Sequence, residues 1–214
     1  LSRISVTRKG ALVARATVEG KRNVIRGTFD EGGKFSTQLK AKDGSPRALL
    51  LQAQTNLSGG HEEIVGTLET GDGTTSKIVL QKPLPWKRRI DPCPFAGRYH
   101  LILPQRAGGA PHAPTGDGWG ILTVSETGRV RMVLNLGDGT KVTASSSITP
   151  EGRIPIERRI YRGKGSLSGI LQVQEVAGIS DLDGSLRWVK PENQRSRLHP
   201  GGFDLEVAAV GSVH

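Results

Sequence analysis

Length, composition and charge exclude several classes of protein. The chain has 214 residues, with 29 glycines and 12 prolines but only three Trp, two Tyr and four Phe, which favours short strands and tight turns over long helices. Its single cysteine excludes an internal disulfide, no apolar run approaches the ~18 residues that cross a bilayer, and the net charge of +10 favours anionic partners without choosing among them.

The two halves of the chain carry the same order of landmarks, at an offset of about 118 to 120 residues. The matched landmarks are Gly10 and Gly128, Gly20 and Gly139, Gly33 and Gly152, "LQAQ" (51–54) and "LQVQ" (171–174), and "GTLE" (66–69) and "GSLR" (184–187). Five landmarks at one offset indicate two copies of a single unit.

The segments between these landmarks alternate like strands. In "VRMVLNL" (130–136) the apolar residues fall on every second position, and glycine-containing turns recur at roughly 10- to 13-residue spacing, as in successive hairpins. We therefore predict an all-β protein with about 14 or 15 strands and no major helix. Its two duplicated antiparallel β-meander halves form either one closed barrel-like body or two packed sheets.

The predicted domain organisation follows from the repeat and from proline content. Residues 1–81 are the first β-repeat, residues 82–94 ("KPLPWKRRIDPCP") are a proline-rich connector, and residues 95–214 are the second repeat, with a closing C-terminal strand. We expect the two halves to form one structural unit. The segment "GGFDLEVAAV" (201–210) has no counterpart in the first copy, so we expect the last strand to pair near the first strand of the chain.

The string "GDGT" occurs at 71–74 and 137–140, where a phosphate loop and a turn are the alternatives. Gly suits positive φ and Asp bonds its own backbone, whereas a phosphate loop needs a Lys-Ser or Lys-Thr pair and a following helix, which are missing. We predict turns at both places.

The segments "FAGRYHLIL", "PTGDGWGILTVSETGRV", "YRGKGSLSGILQV" and "HPGGFDLEV" together resemble a β-rich domain without assigned function. That domain is found, often near the C-terminus, in large exported bacterial proteins that contain other β-repeats. The resemblance covers nearly the whole chain and rests on glycine and turn landmarks. It implies an exported, surface-associated module and carries no catalytic signature.

Two groups of residues are candidate ligand contacts. The long loop 104–118 contains His112 and ends at Trp119, an aromatic residue of the kind that stacks on sugar rings. A basic cluster contains Arg158, Arg159, Arg162 and Lys164. The alternatives are a solvated surface for His112 and the cluster, and a packing role for Trp119 and Trp188 at the ends of a core. Only Tyr161 interrupts the cluster, so nucleic acid is not the favoured partner.

A metal site is the alternative chemistry. His61 and Glu63 in the first copy, and Asp181 and Asp183 in the second, precede matching landmarks, and oxygen ligands at alternate positions could hold calcium. Otherwise these residues are acidic loop positions facing water, and no cofactor is expected. The sequence contains no Gly-x-Ser-x-Gly, HExxH or paired CxxC motif.

Three functions remain open from the sequence. We favour a non-catalytic extracellular or cell-surface binding or adhesion module, with anionic cell-surface polysaccharide as its ligand. The alternatives are a small metal-assisted hydrolase of esterase or lactonase type, and a structural spacer within a larger surface protein. The sequence does not set the oligomeric state.

Overall fold

The chain is all-β and divides into two compact units, Leu1–Lys82 and Pro83–His214. The computed structural model describes residues 3–19, 21–56, 61–81, 86–104, 113–176 and 180–213. Within these ranges there are 15 strands, as predicted, and one short 3-10 turn, Tyr161–Gly163. The first unit has strands β1 Arg3–Val6, β2 Ala11–Val18, β3 Lys21–Thr28, β4 Lys34–Lys40, β5 Pro46–Asn56, β6 His61–Glu69 and β7 Thr75–Gln81. The second unit has β8 Gly97–Leu103, β9 Gly118–Val124, β10 Arg129–Asn135, β11 Lys141–Ser147, β12 Arg153–Ile160, β13 Gly165–Val176, β14 Ser180–Lys190 and β15 Phe203–Val213.

The first unit consists of two small antiparallel sheets on one core. The sheet orders are β1-β2-β3 and β4-β5-β6-β7. Alternate residues of β2, among them Leu12 and Ala14, pack with Leu49 and Leu51 of β5. The Asn23 side chain joins the two sheets, because it donates to the Lys40 carbonyl at 2.9 Å and accepts from the Lys40 amide at 2.8 Å.

The second unit is a single, nearly closed, barrel-like antiparallel sheet. Its strand order is β11-β10-β9-β8-β15-β14-β13-β12. Alternate positions of each strand fill the interior, as in β8, where Tyr99, Leu101 and Leu103 are buried. Alternation of side chains across a strand sends the intervening residues to the outer wall.

The duplication predicted from the glycine landmarks is confirmed by the fold, and matched glycines make the same hydrogen bonds. The Gly33 amide donates to Asp30, and the Gly33 carbonyl accepts from Ala53 at 2.8 Å. The Gly152 amide donates to Thr149, and its carbonyl accepts from Val173 at 2.8 Å. These glycines therefore mark the same corner in both units.

The expected position of the last strand is wrong. Strand β15 pairs with β14 and β8, whereas the described partner of β1 is β2. Strand β15 also has a counterpart in the first unit, since it occupies the place next to β14 that β7 occupies next to β6. The residues between β14 and β15 form a longer connection than those between β6 and β7, which displaces β15 from the sequence offset of the other landmarks.

Both "GDGT" strings are turns between antiparallel strands, as predicted. Asp72 accepts hydrogen bonds from the hydroxyls of Thr70 and Thr74 and from the Thr74 amide. These bonds, that from the Thr70 hydroxyl first, lower the pKa of Asp72 to about 2. Asp138 accepts from the Thr140 amide at 2.9 Å in the same way.

The described part of the predicted connector packs on the second unit. Trp86 and Cys93 belong to its buried cluster. Residues 87–91 form a tight turn in which the Asp91 carbonyl accepts from the Lys87 amide at 2.9 Å. The Cys93 amide donates to the Glu126 carbonyl at 2.9 Å, in the turn that connects β9 to β10.

Candidate ligand-binding surface

One transverse row of outward-facing residues crosses the wall of the barrel through Trp119. Directly paired residues on neighbouring strands lie about 5 Å apart and present their side chains to the same face. Trp119 of β9 is paired with Ile102 of β8, which is paired with Val210 of β15. On its other side Trp119 is paired with Asn135, which is paired with Lys141.

The apolar members of this row face outward from the barrel. Trp119 is 60% exposed and Ile102 is 56% exposed. The parallel row one step along the strands contains Ile121, which is paired with Val133. We call Ile102, Trp119, Ile121, Val133 and Val210 the Trp119 patch. A contiguous apolar area on the outer wall of a protein is a feature of surfaces that bind a ligand or a partner.

Trp188 differs from Trp119, because it is buried in the core. Its indole N–H donates to the Tyr161 hydroxyl at 3.0 Å, and its ring packs edge-on against Phe203 at 4.8 Å. The interpretation that both tryptophans fill the ends of a core is therefore correct for Trp188 and wrong for Trp119. Trp119 lies on the outer face of its strand and is exposed.

Two arginines lie at one end of the patch. Arg98 of β8 and Arg131 of β10 are both paired with Thr123 of β9, so they stand on either side of that strand. All three residues are exposed. Thr123 is four residues from Trp119, which is about 13 Å along the strand. A flat apolar area and two guanidinium groups therefore share one side of the barrel.

The basic cluster foreseen from the sequence lies elsewhere. Arg158 and Arg159 are on β12, and Arg162 and Lys164 are at the short 3-10 turn that follows. Strands β11 and β12 are the two end strands of the sheet order, and they approach each other where the barrel nearly closes, since the Ser146 hydroxyl donates to the Pro155 carbonyl at 2.5 Å. The described strand partner of β12 is β13. No cross-strand pair among the described residues joins this cluster to Trp119. His112, the other candidate from the loop, lies outside the described residues.

The four candidate metal ligands fall in different units. His61 and Glu63 are on β6, and Asp181 and Asp183 are on β14. Each of the three described carboxylates accepts a hydrogen bond: Glu63 from Gln54 at 2.7 Å, Asp183 from Gln174 at 2.7 Å, and Asp181 from the Val213 amide at 2.7 Å. The described residues contain no group of three or more His, Cys, Asp or Glu suited to a metal ion. The calcium hypothesis stays a prediction.

A buried polar network occupies one end of the barrel. The Asp138 carboxylate accepts from the Tyr161 hydroxyl at 2.6 Å and from the Lys190 ammonium at 3.3 Å. Burial opposes ionisation of Asp138, but the hydrogen bonds from Tyr161 and Thr140 outweigh it, so its pKa lies below the ordinary value. Burial and the bond to Asp138 raise the pKa of Tyr161. These groups satisfy one another, which is typical of a structural network rather than a reactive site.

Comparisons with known proteins identify no relative. No family model, curated protein or solved structure matches the chain. The described residues contain no helix that could span a membrane.

Proposed function

We propose that the chain is a non-catalytic binding module that holds an anionic polysaccharide on the outer wall of its second unit, at the Trp119 patch. The observation that carries the proposal is the exposure of Trp119 among exposed aliphatic side chains, with Arg98 and Arg131 on the same face. Export of the chain and its association with a cell surface belong to the same proposal and rest on the resemblance stated above.

The chemistry of the patch suits a carboxylated or sulfated sugar polymer. An indole face and neighbouring aliphatic groups give flat apolar contact to the C–H face of a sugar ring. A guanidinium group forms paired hydrogen bonds with carboxylate or sulfate oxygens. Because the arginines are about 13 Å along the strand from Trp119, a polymer can contact both features where a single ring cannot. Net positive charge raises the rate of encounter with such a polymer.

The direct experiment is calorimetric titration of the full chain with polygalacturonate and, as a neutral probe, dextran. We expect binding to polygalacturonate that weakens as salt rises. Trp119→Ala should lower the affinity at least tenfold without changing the melting temperature, because the side chain is already exposed. The double variant Arg98→Ser/Arg131→Ser should remove most of the salt dependence.

The matched control is Arg158→Ser/Arg159→Ser, which removes the same charge from β12. We expect this variant to keep nearly all of the affinity. If Arg158→Ser/Arg159→Ser loses binding while Trp119→Ala retains it, the ligand binds at the basic cluster and the proposed site is wrong. If the wild-type chain binds neither polymer, the structural spacer becomes the better interpretation.

The metal-assisted hydrolase is the second candidate, and only the sequence favours it. Its test is the melting temperature with calcium and with a chelator, in wild type and in Asp183→Ala. A rise with calcium that the chelator reverses and the variant abolishes would favour a metal site on β14, since a ligand present at 100 times its Kd stabilises the folded state by about 2.7 kcal/mol.

A further inference from the structure

The outer face of β2 and β3, in the first unit, carries three arginines and two valines. They are Val13, Arg15, Arg22, Val24 and Arg26, and we call them the arginine face. The buried residues of both strands alternate with these positions, so all five side chains point away from the core. Val13 is 49% exposed and Val24 is 62% exposed, and the three arginines are exposed as well.

Cross-strand pairing places the three guanidinium groups in a zigzag. Arg26 of β3 is paired with Val13 of β2, and Arg15 of β2 is paired with Val24 of β3. Arg22 and Arg26 lie two residues from Val24 on either side, so Arg15 faces both of them diagonally at about 7–8 Å. The two arginines of β3 are about 13 Å apart along the strand. Three positive charges therefore occupy a strip that is about 13 Å long and two strands wide.

Acidic side chains of the same strands do not neutralise the arginine face. Strands β2 and β3 contain no Asp or Glu. The turn between them contains Glu19, whose carboxylate oxygens both accept from Arg47 at 3.1 Å, and one of them also accepts from the Gly71 amide at 2.8 Å. Among the described residues, the salt bridges involve neither Arg22 nor Arg26. The face therefore keeps a net positive charge.

The second unit shows that the fold does not require these arginines. The glycine corners that the two units share match β2 and β3 to β10 and β11. In this correspondence Arg15 matches Val133, and Arg26 matches Ser145. Val133 and Ser145 lie on the outer face of the same antiparallel pair in the second unit. The same chain path thus forms with valine and serine, so folding does not need an arginine at either place.

We propose that the arginine face is a second anion-binding surface of the chain, and that its ligand is a sulfated polysaccharide. It belongs to the first unit and does not rest on the Trp119 patch. A guanidinium group forms paired hydrogen bonds with sulfate oxygens. The exposed valines between the arginines give apolar contact to the C–H groups of a sugar ring.

The zigzag favours sulfate esters over carboxylates. Because Arg15 stands on one strand and Arg22 and Arg26 stand on the other, the ligand needs negative charge on both of its sides. A polymer of uronic acids carries one carboxylate on each ring, whereas several hydroxyl groups of one ring can carry sulfate. A sulfated sugar polymer can therefore place charges opposite all three arginines within about 13 Å.

Nucleic acid is the competing polyanion, and the arginine face lacks the side chains that hold its bases. Grooves that bind single strands without sequence preference combine positive charge with stacking aromatic residues. Strands β2 and β3 contain no aromatic residue, and all Trp and Tyr residues of the chain lie in the second unit. These observations favour the sulfated polysaccharide.

The test uses the full chain with Trp119→Ala, so that binding at the Trp119 patch does not obscure the first unit. The ligands are dextran sulfate, carboxymethyl dextran with the same charge per ring, and unmodified dextran, which share one backbone. We expect dextran sulfate to bind at least tenfold more tightly than carboxymethyl dextran, and dextran not to bind. The affinity for dextran sulfate should fall as salt rises, because a bound polyanion releases counterions.

Matched variants in the same background locate the site. Arg15→Val/Arg26→Ser introduces the residues of the matched positions in β10 and β11, and it should weaken dextran sulfate binding at least tenfold without lowering the melting temperature. Arg15→Lys/Arg26→Lys keeps the charge but loses the paired hydrogen bonds, so it should lose less affinity and retain the salt dependence. The control Lys34→Ser/Lys77→Ser removes the same charge from exposed positions of β4 and β7 and should keep nearly all of the affinity.

Three results would overturn the proposal. The first is an equal loss of affinity in Lys34→Ser/Lys77→Ser and in Arg15→Val/Arg26→Ser, which would indicate attraction to the net charge alone. The second is no binding of dextran sulfate to the Trp119→Ala chain at about 0.15 M salt. The third is tighter binding of a single-stranded oligothymidylate than of dextran sulfate, which would make nucleic acid the ligand of this face.

Discussion

The two units have the same chain path and corner hydrogen bonds but differ in closure. The first is made of separate sheets of three and four strands, and the second is one eight-stranded sheet. Among the described residues, the difference lies in β8, which pairs with both β9 and β15, whereas no described strand pairs with both β1 and β7. Glycine landmarks therefore specify turns and corners, whereas the continuity of the eight-stranded sheet depends on β8.

The acidic residue in the turn between β2 and β3, and its match in the turn between β10 and β11, illustrate the same point. Glu19 and Asp138 hold equivalent positions, but Glu19 binds Arg47 on the surface, while Asp138 is buried with Lys190. The longer connection between β14 and β15 accounts for this burial, because its Leu198 carbonyl accepts from the Lys190 ammonium at 2.8 Å. Residues at matched positions therefore contribute differently to the stability of the two units.

The largest difference between the units should appear when matched core residues are shortened. Leu122→Ala should lower the free energy of unfolding of the second unit by about 3–5 kcal/mol, because the side chain is fully buried. Ile4→Ala should cost the first unit about 1–2 kcal/mol, since Ile4 is half-buried. All Trp and Tyr residues lie in the second unit, so tryptophan fluorescence follows that unit and far-UV circular dichroism follows both. Equal losses would contradict the difference in closure.

The second-largest difference in stability should come from neutralising the matched acidic residues. Asp138→Asn should cost about 3 kcal/mol, the lower end of what breaking a buried ion pair costs, because Lys190 stays buried. Glu19→Gln should have a much smaller effect, since the Glu19 side chain is exposed and its ion pair with Arg47 lies at the surface. Urea unfolding followed by fluorescence and circular dichroism measures both variants.

The pH dependence of stability provides an independent check on Asp138. The pKa of this carboxyl is lower in the folded chain than its ordinary value of about 3.9. Its contribution is therefore complete above that value and is lost as the pH falls through the lower folded pKa. Unfolding free energies measured between pH 7 and pH 2 should fall less steeply at the acid end in Asp138→Asn than in wild type. Parallel curves would show that Asp138 is not responsible.

Two matched glycines should respond differently to the same substitution. Gly10 and Gly128 both have positive φ, so alanine is strained at either place by about 1–2 kcal/mol. At Gly128 an added Cβ would also come within 2.3 Å of the Trp86 ring, whereas at Gly10 the nearest atom is 3.7 Å away. Gly128→Ala should therefore be more destabilising than Gly10→Ala by about 2 kcal/mol, as measured by thermal unfolding. Equal effects would mean that Trp86 moves aside freely.

The smallest loss of stability should come from shortening two matched glutamines, and it should be equal in the two units. Gln52 donates to the carbonyls of Gly32 and Ala53 at 2.9 and 3.0 Å, and Gln172 donates to those of Glu151 and Val173 at 2.6 and 3.0 Å. Gln52→Ala and Gln172→Ala should each cost about 1 kcal/mol in their own unit. A clear difference in urea unfolding would show that the shared corner is not equivalent in the two units.

The strand content and the duplication could be predicted because they depend on local patterns. Glycines such as Gly33 and Gly152 are needed where the backbone has positive φ, and alternation of apolar residues reports strands directly. The counterpart of β15 was missed because an insertion changes the sequence offset without changing the sheet order. Strand register, and the insertion between β14 and β15, become visible only when the pairing of strands is known, and a single sequence does not reveal that pairing.

The candidate surface was predicted only in part for the same reason. Trp119 was identified from its position at the end of the long loop 104–118, but Arg98 and Arg131 were missed. Their signal was present in the alternation of "GRYHLIL" and "RVRMVLN", which assigns both arginines to the outer face. What the sequence lacked was the common pairing with Thr123 that brings them to one side of the barrel.

The rate at which the buried Cys93 thiol is labelled can report how often the second unit opens. It is the one cysteine of the chain, it lies in the core of the second unit, and burial raises its pKa. The thiolate is the nucleophile that attacks thiol reagents, so modification has to wait for this part of the barrel to open. The rate of labelling under native conditions would therefore report opening events of the second unit while remaining insensitive to unfolding confined to the first.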